Sequence, residues 1–461
     1  ADRRPPTADR RPPPATADHA PRRETYRRGR LCTPAAPCCR PGRLDSEGND
    51  AAPGWTTRSR KDVPMAVRAV AIVVAAIMGV LALLLLGGGW YYSDEIREGA
   101  LEAQPPSGPR YDVEVAAVGE DWVTLKGRGS GKEVASEGVW GIRGRQGYGQ
   151  VKEIEQLRDD RVVRRYDHLT GSRPDAGDQV DIEAAAFPSD PKTAFGLDYQ
   201  EVWYRSELGL TPAWLVPGSR STWVVFVHGL NASRREALRL LGPVAREGFP
   251  ALVISYRNDP QAPKTENGLR DWGRSERRDV EGAVRYALNH GASQVALVGY
   301  SMGGALVASF LYESQLADKA VGAVLDAPAL DLGEVIRTEA GRRTLPWLGT
   351  PIPSPLPQVA KTLTTVRYGL DWDRVDYVER ADELSVPALV LHGTADETVP
   401  IETSATFANA QPDLVTLLRF PRAGHIEAWN GEPSRYERRV LGFLERVAVG
   451  GVGEAHVKRR E

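Results

Sequence analysis

The stretch VALVGYSMGGALVASFL, residues 295–311, runs apolar, breaks at a serine boxed by glycines, and turns apolar again. Val295–Val298 read as a buried strand and Gly304–Tyr312 as a helix, so the chain must change direction sharply at Ser301. A turn that abrupt predicts strained backbone angles at the serine, and a side chain at Gly299 or Gly303 would collide with the neighbouring strand or helix. The Ser301 hydroxyl then projects above the sheet. The N–H of Met302 points toward the helix N-terminus, where developing negative charge is favoured. With 46 glycines in 461 residues, G-x-S-x-G alone is weak evidence; the strand before it and the helix after it decide the reading.

A serine hydroxyl is a weak nucleophile on its own, so it needs a base within hydrogen-bond reach and an acid to orient that base. There are seven histidines. His19 lies in a polar tail, His168 in a region of alternating strands, His290 at a helix end, and His228 and His392 each end a strand. The order Ser, acid, His that goes with such a turn leaves His425 and His456. His456 sits in the polar GEAHVKRRE tail, and His425, in FPRAGHIEAW after an expected strand, is the candidate base. For the acid, Asp396 in LVLHGTADETVP follows a buried strand, with Asp326 in AVLDAPAL as its competitor. Asp371, Asp373 and Asp376 fall in a polar interval and read as solvated. A second oxyanion donor is available in VVFVHGLNAS, where a buried strand ends at His228-Gly229 and the N–H of Leu230 would face the serine. His228 itself reads as shaping that loop.

Around these motifs, strands alternate with helices from about residue 195 onward. STWVVFVHG, PALVISYR, QVALVGYS, AVGAVLDAP, PALVLHGTAD and LVTLLRFP read as strands, and REALRLLGPVAREG, ERRDVEGAVRYALNHG and RYERRVLGFLERV as helices. VWYRSEL and AWLVPG form an antiparallel start. Buried Val, Ala and Leu runs joined by crossover helices predict a mostly parallel, doubly wound α/β sheet that places reactive groups at the carboxyl ends of its strands.

Together HGLNASR, GYSMGG, HGTADETVP and the Gly424-His425 pair resemble the α/β-hydrolase family, more narrowly its serine hydrolases of the esterase, lipase and aminopeptidase kind. The resemblance covers about residues 195–448. It implies Ser301 as nucleophile, Asp396 as acid, His425 as base, and Leu230 and Met302 as oxyanion-hole donors, with no cofactor and no metal. The interval 331–384 corresponds to the family's lid insertion, and its prolines, as in WLGTPIPSPLPQ, suggest a partly irregular cap. The implied activity is hydrolysis of carboxylic esters, lipid or acyl esters among them, through an acyl-enzyme. Peptidase, amidase, thioesterase or acyltransferase chemistry on the same residues stays open, as does a non-catalytic anchored interaction protein.

The remaining chain divides into further parts. Residues 1–64 are Arg- and Pro-rich and read as disordered, since they cannot bury enough surface to offset their ordering entropy. Met65 stands directly before the apolar run, so these residues read as translated upstream sequence or as an interaction tail. AVAIVVAAIMGVLALLLLGGGWYY, residues 69–92, is long enough to cross a bilayer and ends in aromatic residues suited to its interface. Arg58, Arg60, Lys61 and Arg68 before the run and Asp94, Glu95 and Glu98 after it predict a single-pass anchor in the cell membrane, with the catalytic part extracytoplasmic. After a Pro/Gly linker near Gln104–Pro109, residues 106–190 show alternating stretches such as YDVEV, WVTLKG and RVVRRYDHL and read as a small β-rich accessory region. Residues 449–461 read as a polar tail. A formal net charge of -2 predicts no nucleic-acid partner. The three cysteines, Cys32, Cys38 and Cys39, all precede residue 40, so disulfide, thiolate-metal and cysteine-nucleophile chemistry are absent from the main body.

Overall fold

In the computed structural model, the described residues are 64–104, 108–127, 134–158, 160–345 and 349–450. The expectations for the tails before residue 64 and after residue 450 lie outside them. The chain enters as one helix, Met65–Ile96, which passes into a π-helical turn, Arg97–Leu101. This is longer than the expected 69–92 span. Its polar last turn, Ser93–Ile96, stays helical because Ser93 and Ile96 are buried. The preceding apolar side chains face outward, Ile72 being 69% and Leu83 71% exposed. By length and composition the helix can cross a membrane.

The β-rich region is a closed barrel of six strands: β1 (Val113–Val118), β2 (Trp122–Gly127), β3 (Trp140–Arg143), β4 (Gly147–Arg158), β5 (Arg161–Gly171) and β6 (Gln179–Glu183). They pair in the order β1-β2-β5-β4-β3-β6. Alternation is the cause: in β2, Val123 and Leu125 point inward, and in β6, Val180 and Ile182 do, so the apolar faces meet in one small core. Arg164 is buried there too. Its guanidinium donates to the carbonyls of Val134, Ser136, Gly138 and Lys152, and burial pulls its pKa down to about 10.

The main sheet has eight strands: β7 (Gln200–Arg205), β8 (Leu210–Val216), β9 (Thr222–Val227), β10 (Ala251–Ile254), β11 (Gln294–Tyr300), β12 (Ala320–Asp326), β13 (Ala388–Gly393) and β14 (Val415–Phe420). Their order is β14-β13-β12-β11-β9-β10-β8-β7. The pairs from β14 through to β10 are parallel, and β8 and β7 are antiparallel. The strands are apolar on both faces. Trp223, Val225 and Val227 of β9 join one core, with helices Arg277–Asn289, Met302–Glu313 and Ile401–Ala410 over it. Val224 and Phe226 join the other, under Leu238–Arg246 and Pro433–Gly450. The doubly wound α/β expectation is borne out. Because β9 lies between β10 and β11, successive crossovers leave it in opposite directions, and a crevice opens above its carboxyl end.

Two segments pack around that crevice. Between β12 and β13 lies a cap with helices Leu332–Arg342 and Pro355–Tyr368. The described residues 349–354 between the two helices are irregular. Pro355 and Pro357 fall in the first turn of the second helix, where a missing N–H costs nothing. The barrel is bound beside the opposite flank: Asn430 Nδ2 donates to Val139 O at 2.7 Å and Ala184 O at 2.9 Å, and Val139 N–H returns a bond to Asn430 O at 2.9 Å. Gly138, at φ +93°, permits this approach, since a Cβ there would lie 2.0 Å from Asn430 O.

Candidate active site

Ser301 follows β11 at φ 49°, ψ −117°, the strained turn that the sequence predicts. The surroundings dictate this conformation. A Cβ on Gly299 would meet the Gly303 carbonyl oxygen at 2.6 Å, and one on Gly303 would meet the Val227 carbonyl oxygen at 2.2 Å. Hydrogen bonds hold it from both sides: Ser301 N–H donates to Asp326 O at 2.9 Å and Ala329 N–H donates to Ser301 O at 3.1 Å. The serine thus sits on the carboxyl edge of the sheet, with Met302 opening the next helix.

His425 lies in the loop after β14 and meets both expected partners. Its Nε2 is 2.9 Å from Ser301 Oγ and its Nδ1 is 2.8 Å from Asp396 Oδ2. An ionised carboxylate only accepts, so Nδ1 carries the proton and Nε2 accepts from the serine hydroxyl. Asp396 Oδ1 accepts the N–H groups of Thr398 at 2.8 Å and Val399 at 2.9 Å. Burial alone would raise its pKa, but hydrogen bonds from His392 and His425 and the nearby backbone N–H outweigh it and hold the carboxyl well below its usual range.

The competitor, Asp326, is turned elsewhere. It is fully buried, accepts the Tyr436 hydroxyl at 2.9 Å, and burial raises its pKa to about 6 against the opposing charge of Arg239. Asp376 and Asp371 accept N–H groups of their own cap turns. His168 bonds within the barrel and His290 to its own helix end, while His19 and His456 lie outside the described residues.

Two further histidines at strand ends make defined contacts, His392, read only as a strand end, and His228, read as shaping its loop. His392 is buried with Nδ1 2.8 Å from Ser404 Oγ and Nε2 3.0 Å from Val399 O and 3.3 Å from Asp396 Oδ2, so it braces the acid's loop. Its signal in the sequence is its position four residues before Asp396 in HGTAD. His228 faces an acceptor on each ring nitrogen, Asp259 Oδ2 at 2.8 Å and Gly229 O at 2.9 Å. Burial alone would lower its pKa, yet the Asp259 charge and hydrogen bond raise it above the ordinary imidazole value.

That loop carries Leu230 against the serine. A Cβ on Gly229 would lie 3.1 Å from Ser301 Cβ, and Leu230, Ser301 and His425 line a common cavity of about 400 Å³. Asn231, the next residue, has φ 54°, and its Oδ1 accepts from Arg270 Nη1 at 2.8 Å and from Gln104 N–H at 3.0 Å. Beyond Leu230 the cavity walls are largely apolar, from Trp272, Leu332, Val335 and Ile336. A second concavity, about 360 Å³, opens on the barrel side of the same serine and histidine. It is more polar, with Ser233, Arg235, Glu236 and Arg239 in its wall. Arg235 is tied to the barrel through Glu183 and the Tyr148 hydroxyl.

Residues 224–439 match the sequence profile of the alpha/beta hydrolase family. Among solved structures, the chain is similar to the Pyrococcus furiosus esterase Pf2001 at 19% identity, covering 56% of this chain and 96% of that one, TM-score 0.44. It is similar to a thermophilic esterase from Thermogutta terrifontis at 20% identity, covering 54% of this chain and 99% of that one, TM-score 0.40. The corresponding figures for a putative aryl esterase from Burkholderia cenocepacia are 16%, 54% and 99%, TM-score 0.38. None of the curated proteins matches the chain.

Proposed function

Residues 224–439 form an alpha/beta-hydrolase domain, and from that premise we propose that the protein is a serine hydrolase of carboxylic esters, held at a membrane by Met65–Ile96. The observation that carries this reading is His425 hydrogen-bonded on one side to Ser301 Oγ at 2.9 Å and on the other to Asp396 Oδ2 at 2.8 Å. In the first half-reaction Ser301 Oγ bonds to the ester carbonyl carbon and its proton passes to His425 Nε2. Negative charge develops on the carbonyl oxygen, which the N–H groups of Leu230 and Met302 stabilise. The C–O bond to the alcohol then breaks, and the leaving oxygen takes the proton from Nε2. In the second half, water gives its proton to Nε2 as its oxygen bonds to the acyl carbon. The Oγ–acyl bond breaks, the carboxylic acid leaves, and Ser301 regains its proton. Asp396, kept ionised, stabilises the imidazolium at both stages.

The two concavities flanking Ser301 support an ester with an apolar acyl part toward the cap and a more polar alcohol part toward the barrel. The charge pattern around the apolar run supports a single-pass arrangement with the catalytic domain on the extracytoplasmic side.

The test is labelling by a fluorophosphonate together with turnover of p-nitrophenyl esters, thioesters and aminoacyl amides. Ser301→Ala abolishes labelling and lowers ester turnover by at least about 10³-fold. A wild-type protein that neither labels nor turns over any of the three overturns the reading. Amide turnover exceeding ester turnover reassigns it to a peptidase.

A further inference from the structure

A tether needs only length, yet the end of the apolar helix is built into the cavity beside Ser301. Tyr92, Glu95, Ile96, Gly99 and Ala100 line that cavity on one side, facing Val335 and Ile336 of the cap. The helix is fixed there by close packing against the cap. A Cβ on Gly89 would meet Val359 Cγ1 at 2.5 Å, and one on Gly88 would meet Leu356 Cδ1 at 3.0 Å. Ser93 is fully buried, with Thr364 Oγ1 3.3 Å from its Oγ. Asp94 accepts from the Tyr368 hydroxyl at 2.7 Å and Arg367 Nη2 at 2.8 Å, and Arg343 Nη1 reaches Glu95 at 2.8 Å. The π-helical turn is held from the other side: Trp272 Nε1 donates to Ala100 O at 3.0 Å and Arg270 N–H to Leu101 O at 2.7 Å. No slack separates the helix from the site.

The same helix sets the cavity's height. Trp90 and Tyr91 are about half exposed at the end of the apolar run, where aromatic side chains mark a bilayer interface. Gly99 lies eight residues further, about 12 Å along the axis at helical rise. A membrane-resident ester therefore has to rise by about that 12 Å to reach the level of Gly99, which lines the same cavity as Ser301.

We propose that the cavity takes the acyl chain of a membrane-resident ester, drawn from the bilayer along the wall made by Tyr92, Ile96 and Gly99. This rests on the hydrolase reading and on Met65–Ile96 spanning a membrane. The wall belongs to the helix that stands in the lipid, its lining is largely apolar, and its volume is that of a ligand site.

Gly99 offers the test. A Cβ there meets nothing within 4 Å, and Gly99 lines the cavity, so side chains of increasing size can be placed on the cavity wall at this position. The full chain in phosphatidylcholine vesicles, and its Gly99→Ala, Gly99→Leu and Gly99→Phe variants, are assayed on one fluorophore carried as a palmitoyl ester embedded in the vesicles and as a soluble butyryl ester. The palmitoyl-to-butyryl rate ratio falls stepwise with side-chain size, at least ten-fold for Gly99→Phe and little for Gly99→Ala. Both esters are read on one preparation, so the ratio does not depend on the folded fraction. A ratio unmoved by all three variants, or lowered fully by Gly99→Ala, overturns the proposal. So does wild-type turnover of the butyryl ester with none of the palmitoyl ester, and that outcome leaves the hydrolase reading standing. Absence of both turnover and fluorophosphonate labelling removes the hydrolase reading beneath it, and failure of the protein to float with vesicles removes the membrane reading.

Discussion

At the scale of single residues, two buried aspartates have proton affinities shifted in opposite directions. Asp396 is held ionised, so its contribution to stability is present above the ordinary carboxylate pKa and is lost only as pH falls well below it. Asp326 has its pKa raised to about 6. Its contribution is complete below the unfolded-state value of 3.8 and declines as pH rises through about 6, because the folded form binds that proton more tightly. The expected outcome is a melting temperature whose decline between about pH 4 and pH 6 is flattened in Asp326→Asn, measured by thermal unfolding across that range. The two residues also mark what the sequence discloses. Ser301, His425 and Asp396 are legible because each stands at a fixed offset from a strand end and a glycine. Asp326 also ends a strand, and the sequence keeps it as a competitor. What separates the two is a loop that turns Asp396 back onto His392 and His425, while Asp326 faces Tyr436 from the last helix. No local pattern encodes that turn.

Among the elements, the central strands were legible as unbroken apolar runs and the barrel strands as alternating ones. Closure of the barrel was not, because β1 pairs with β6 across the whole region, and register over such separations is fixed by packing. Nor was the path of residues 134–138, which lie where Arg164 can collect their carbonyls. In the cap the prolines act both ways: Pro351 and Pro353 lie outside helices, whereas Pro355 and Pro357 stand in a first helical turn. Arg164 gives the element-scale prediction. Arg164→Met strands those buried carbonyls and costs about 3–5 kcal/mol of barrel stability. Hydrogen exchange in β1–β6 accelerates while the parallel strands β9–β13 stay protected, provided the barrel opens as its own unit. Uniform acceleration throughout would instead make the two a single cooperative body.

For the molecule as a whole, the apolar helix announces itself by length, but nothing in GGGWYYSDEI announces that Gly88 and Gly89 are the grooves for Leu356 and Val359. A chain starting at residue 94 lacks that contact. It is expected to melt about 5 °C or more below the whole chain in the same detergent, and to bind more of an apolar dye at the exposed cap face. Equal melting temperatures would reduce the helix to a leash. The order of the parts along the chain carries a last consequence. Synthesis runs from the N-terminus, so Tyr92, Ile96 and Gly99 leave the ribosome long before Ser301 and His425 exist. One side of the cavity is therefore made while the other is still unwritten, and the domain folds against a helix that was synthesised first.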